Sequence, residues 1–176
     1  MGCDIHMRLE KINKDGEWET IDLFRPARDD EDEKYYPVTF PFVPSPIYDG
    51  RDYELFGVLA GIRCSYTETI SEPRGIPASA NYLIRSEYKA CESECHTPSY
   101  LTLGELEKTW YAHMHDDPRD EEGYDNVYIR LLHNIIRPIE NRLRDLHYVW
   151  SDTDVELVED CRKYWDTVRI VFWFDS

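Results

Sequence analysis

The sequence predicts an α+β fold in a single domain, and three features predict it. The N-terminal run Cys3-Asp4-Ile5-His6-Met7-Arg8-Leu9-Glu10 alternates strictly between apolar and polar residues, which is the period of a half-buried strand. The C-terminal run Val168-Arg169-Ile170-Val171-Phe172-Trp173-Phe174-Asp175 is β-branched and aromatic and reads as a central strand covered on both faces. Between them lie segments with apolar residues at helical spacing. The N-terminal hairpin and the C-terminal strand are expected to share an antiparallel or mixed sheet with helices packed on it. A chain of 176 residues is long enough for one such domain with a core.

In chain order, Asp15-Gly16 is a hairpin turn signal. It predicts strands over about 3–13 and 17–23. The stretch 25–50 reads as an insertion, because it holds Pro26, Pro37, Pro41, Pro44 and Pro46 and the acidic run Asp29-Asp30-Glu31-Asp32-Glu33. Its aromatics Tyr35, Tyr36, Phe40, Phe42 and Tyr48 argue against full disorder, and the expected role is a lid or an arm. A helix is predicted over 52–63, N-capped by Asp52, with Leu55, Phe56, Leu59 and Ile62 inward and Arg63 at its end.

The turn Ser71-Glu72-Pro73-Arg74-Gly75-Ile76-Pro77 is stiffened by its prolines and presents Arg74. Residues 78–89 show no clean period. Cys91 and Cys95-His96 do not make the paired spacing of a structural zinc site. Thr102 and Glu105 match a capping box that opens a helix over 102–112. His96 and Ser99 precede that helix in an expected loop, where free backbone N–H groups favour anions. His113 and His115 read as part of a solvated acidic connection. Leu132, Ile135, Ile139, Leu143 and Leu146 predict a long helix over 125–146, kinked or divided at Pro138. A further helix is expected over 154–165.

Composition narrows the function. A net charge of −16, from 36 acidic and 20 basic residues, repels nucleic-acid backbones and anionic membranes. A small anion in a pocket lined by arginines remains compatible with it. Five scattered cysteines predict reduced thiols in a cytoplasm. His6 stands where an acylated Met-Gly-Cys terminus would need Ser or Thr. No apolar run approaches a membrane span.

Several motifs occur together: Gly2-Cys3-Asp4-Ile5-His6, the stretch from Tyr53 to Arg63, Pro73-Arg74-Gly75-Ile76-Pro77, the stretch from His96 to Thr102, and terminal Val171-Phe172-Trp173-Phe174-Asp175. As a set, in this order, they resemble a family of small, largely uncharacterised bacteriophage and prophage proteins. The resemblance leaves out 25–50 and 113–150. It implies a phage or prophage origin, a bacterial host cytoplasm and a shared polar cluster, and it supplies no reaction.

Three functions follow as expectations. The first is a counter-defence protein that sequesters a small phosphorylated or nucleotide-like signal. Arg63 and Arg74 would meet phosphate, His96 and Ser99 would hydrogen-bond the ligand, and Tyr53 and the aromatics of 35–48 would lie against it. The second is a metal-dependent hydrolase or phosphodiesterase, with Asp4, His6 and Asp175 as catalytic candidates and Asp4, His6, His96 and Asp175 as ligands of a divalent metal. The third is an acidic inhibitor of a host nucleic-acid-binding protein. Homo-oligomerisation is left open.

Overall fold

The computed structural model describes residues 2–28, 33, 36, 38–63, 68–118, 125–150 and 161–175, with side chains of the last long helix described through Leu146. In chain order its elements are β1 (Asp4–Ile12), β2 (Trp18–Thr20), β3 (Leu23–Pro26), β4 (Phe42–Ser45), α1 (Tyr53–Ala60), α2 (Tyr82–Cys91), β5 (Cys95–Thr102), α3 (Leu103–His113), α4 (Val127–Leu131), α5 (Arg137–Trp150) and β6 (Val168–Asp175).

The two ends of the chain do meet. β1 and β6 run antiparallel in an unbroken ladder from Asp4 opposite Asp175 to Lys11 opposite Val168. β2 flanks β1, β5 flanks β6, and the four strands lie in the order β2-β1-β6-β5. β6 is therefore central, and every residue from Val168 to Phe174 is buried, as its unbroken apolar character demands. β3 and β4 form a separate two-stranded ribbon within and just before the expected insertion. The Asp29–Asp32 part of the acidic run, Tyr35, Pro37 and most of the expected helix 154–165 lie outside the described residues. Of that helix, a 3-10 turn over Cys161–Tyr164 is described.

Strand alternation divides the sheet into two faces. Ile5, Met7 and Leu9 of β1, with Ile170, Phe172 and Phe174 of β6, belong to the main core. That core also takes Leu55, Phe56 and Leu59 of α1, Leu103 and Leu106 of α3, Leu131 of α4, and Ile139 and Leu143 of α5. The other face carries a smaller apolar cluster of Ile84, Cys91, Val171 and Trp173, beside polar groups described below.

The helices follow local rules. Asp52 caps α1 by accepting from the Leu55 amide at 3.1 Å. Gly61 ends it in the left-handed region at φ 68°, the cheap choice there. α1 thus stops before Ile62 and Arg63. The capping box of Thr102 and Glu105 is formed. Pro138 does not break the long helix. The preceding turn, Leu132–Ile136, widens to a π-helix, and the Arg137 amide reaches back to the Leu132 carbonyl. A widened turn relieves the clash between a proline ring and the carbonyl four residues earlier.

Two segments depart from expectation. Residues 82–91, which show no clean period, are α2. Its inward positions are Ile84, Glu87 and Cys91, and the charge of Glu87 interrupts an otherwise helical spacing. Residues 95–102, expected as a loop, are β5, which runs directly into α3.

Candidate functional site

At the open end of the sheet, β1 and β6 bring the carboxylates of Asp4 and Asp175 to one rung. The Asp4 amide donates to Asp175 Oδ1 at 3.1 Å, and His6 Nε2 lies 3.1 Å from Asp175 Oδ2. The His6 ring stacks on Trp173 with centroids 5.7 Å apart and planes 8° apart. Arg51, which sequence reasoning missed, forms a two-pronged pair with Asp4 at 2.7 Å on each arm. A Cβ at residue 2 would displace the Arg51 guanidinium from this position. The Cys3 thiol lies against Arg63, and burial pushes its pKa up. Tyr53 opens α1 beside Arg51, with about two fifths of its surface exposed. Asp4, His6 and Asp175 therefore meet at one end of the sheet, with Tyr53 beside Arg51 and with Arg63 on the core side against Cys3.

The other predicted residues do not join them. His96 is opposite Phe174 in the ladder and stacks on that ring at 6.1 Å. It is one residue out of phase with Asp175 and faces the main core side, so the four metal donors are not assembled. Among the described residues, no group of three or more His, Cys, Asp or Glu is placed to hold a metal ion.

Arg74 lies against Tyr100, its Cζ 5.3 Å from the ring centroid. Tyr100 is opposite Val171, four residues from Asp175 and about 13 Å away at about 3.3 Å per residue. Arg74 is paired instead with Glu105, at 2.5 and 3.1 Å. Burial works against the Glu105 charge, yet Arg74 and the capping bonds hold its pKa below the ordinary value. Ser99 is buried and accepts from the Arg74 amide at 3.2 Å, which fixes the turn rather than a ligand. The anion site expected before α3 is absent, because β5 replaces the loop and the capping box uses the helix terminus. Of the loop aromatics, Tyr36 accepts a hydrogen bond from Arg8 Nη2 at 2.9 Å and Tyr48 packs against the core.

The polar face of β1 is not solvated along its length. Arg8 is 2 % exposed and Glu10 is fully buried. Arg8 donates to Glu87 of α2 at 2.8 and 2.5 Å. Burial works against the Arg8 charge, but Glu87 more than offsets it and raises its pKa. Arg169 Nε donates to Glu10 at 2.8 Å, and its guanidinium lies 3.7 Å from the centroid of the Trp18 ring. Asp22 is buried beside them, and desolvation lifts its pKa to about 6.

The Glu10–Arg169 pair underlies a cleft. Glu10 Oε1 accepts from the Asn81 amide at 2.5 Å. Both terminal nitrogens of Arg169 reach Ser79 Oγ at 3.3 Å. Above them opens a cavity of about 470 Å³ between the β1–β2 turn and the start of α2, lined by Glu17, Trp18, Ser79, Asn81, Tyr82 and Arg85 among others. Tyr82 and Arg85 are exposed. In the sequence this cleft shows only as the start of the second expected strand, over 17–23, and an aperiodic stretch at 78–89.

No family model, no curated protein and no solved structure matches the chain. No described helix is long and apolar enough to cross a membrane.

Proposed function

We propose that the protein binds and sequesters a small phosphorylated or nucleotide-like molecule, and that it does so in the cleft over the Glu10–Arg169 pair. The observation that carries this reading is the joining of aromatic walls and a guanidinium in one concavity. Trp18 and Tyr82 line it with aromatic surface suited to a base, and Arg85 adds the planar fork that suits phosphate. The volume of about 470 Å³ is in the range of small-molecule sites. The buried ion pair fixes Ser79 and Asn81 before any ligand arrives, so less ordering accompanies binding. The motif resemblance supports a phage or prophage origin, a host cytoplasm and a counter-defence role for such capture.

The alternatives have less behind them. A metal-dependent hydrolase loses His96 to the opposite face and retains only the His6–Asp175 contact. An acidic inhibitor of a host nucleic-acid-binding protein rests on the charge of −16 alone.

The test is to incubate purified protein with a panel of mono-, di- and cyclic nucleotides, remove free ligand, and release what is bound by heat for mass spectrometry. Return of an intact phosphorylated compound from the parent, and much less from Trp18→Ala, is expected. Release of cleaved products would replace sequestration by hydrolysis. Release of nothing, with salt-sensitive capture of a basic host protein, would favour the inhibitor.

A further inference from the structure

At the other end of α2 lie two thiols that the ligand cleft does not use. Cys91 ends the helix and is 2 % exposed, while Cys95 opens β5 and is half-buried. A tight turn joins them, closed by the Glu94 amide donating to the Cys91 carbonyl at 2.8 Å. Both pack in the small cluster around Trp173.

The Cys91 sulfur has two near neighbours. The Cys95 thiol stands beside it across the turn, and its own proton reaches the Tyr88 carbonyl, with a sulfur–oxygen distance of 3.4 Å. The Trp173 indole N–H, in the same cluster, is buried without a hydrogen-bond acceptor. The neighbouring Cys95 thiol lowers the Cys91 pKa, and the pairing raises that of Cys95. Charged groups around the pair include Glu87 on α2, Glu94 on the turn and Asp175 on β6.

We propose that Cys91 and Cys95 form a reversible dithiol–disulfide site that reacts with small hydroperoxides. The Cys91 sulfur attacks one peroxide oxygen, the O–O bond breaks, and water leaves with the thiol proton, giving a sulfenic acid. The Cys95 sulfur then attacks that sulfur, the S–O bond breaks, and a second water leaves with the Cys95 proton. Two thiols lose two electrons and two protons, and one hydrogen peroxide becomes two waters. A second thiol across the same turn makes the closing step intramolecular and shields the sulfenic acid from further oxidation.

The full chain is treated with hydrogen peroxide, unfolded, alkylated and mapped by mass spectrometry. The peptide carrying both residues should become two hydrogens lighter, take no alkyl group, and regain two on dithiothreitol. Its two thiols should disappear at least tenfold faster than the fully buried Cys3. Cys95→Ser should abolish the linkage and leave Cys91 as a sulfenic acid trapped by dimedone. The proposal is overturned if both thiols stay alkylatable, if either pairs with another cysteine, or if Cys91 and Cys95 climb to sulfinic acids without a linked form. The parent result decides even if a variant does not fold.

Discussion

The two faces of the central sheet are built from the same strands, one residue apart, and they hold together by different means. On one face Ile5, Met7 and Leu9 meet Phe172 and Phe174 in a dry apolar core. On the other, Arg8 and Glu10 are just as buried, but their partners are Glu87 and Arg169. An apolar face tolerates many residues of suitable volume. A buried ionic face tolerates few, because removal of one partner strands the other charge in a low dielectric. The difference teaches why the cleft lies on the ionic side, where a fixed charged floor positions Ser79 and Asn81.

The comparison can be broken at its strongest point. Glu87→Ala should cost about 3–5 kcal/mol in urea unfolding, because Arg8 is left buried and unpaired. Replacing both partners, Arg8→Met with Glu87→Leu, should recover most of that loss. A double variant as damaged as the single one would mean that the pair adds stability of its own.

On the apolar face, Leu9→Ala should cost about 2–5 kcal/mol by cavity formation. No second substitution across the sheet should rescue it as the ionic double variant is rescued.

Asp22 sharpens the contrast through pH. Its folded pKa of about 6 lies above the ordinary aspartate value of 3.8, so the fold binds its proton more tightly than the unfolded chain does. Its contribution is complete below about pH 4 and is lost as pH rises through about 6. Asp22→Asn should therefore flatten the decline of stability across that window, by up to about 3 kcal/mol for a shift of about two units. Unchanged slopes in parallel urea titrations of parent and variant would contradict the burial of this charge.

The smallest effect is expected at the sheet end. Arg51 and Asp4 are each about half exposed, so Asp4→Ala should cost about 1 kcal/mol or less.

Much of the scaffold could be read from the chain. Strict alternation in β1 and the apolar run of β6 carry the signal of their own pairing, and the capping residues Asp52 and Thr102 mark where helices begin. What alternation cannot reveal is whether a polar face meets water. Arg8 and Glu10 look solvated until α2 is known to cover them, and α2 is hidden because Glu87 occupies one of its inward positions. The same gap misdirected the site. Asp4, His6 and Asp175 converge because the ladder is in register, whereas His96 depends on a one-residue phase in β5 that a loop reading cannot supply. Arg74 finds its carboxylate in Glu105, a partner separated from it by 31 residues and visible only in the fold.

The most direct measurement is calorimetric titration of the phosphorylated ligand recovered from the nucleotide panel into the parent, Arg85→Ala and Arg74→Ala. Loss of a charge-assisted contact is worth about 1.5–3 kcal/mol, so Arg85→Ala should weaken binding at least tenfold while Arg74→Ala leaves it unchanged. Weaker binding in Arg74→Ala with Arg85→Ala unaffected would contradict the placement of the ligand in the cleft beside Trp18.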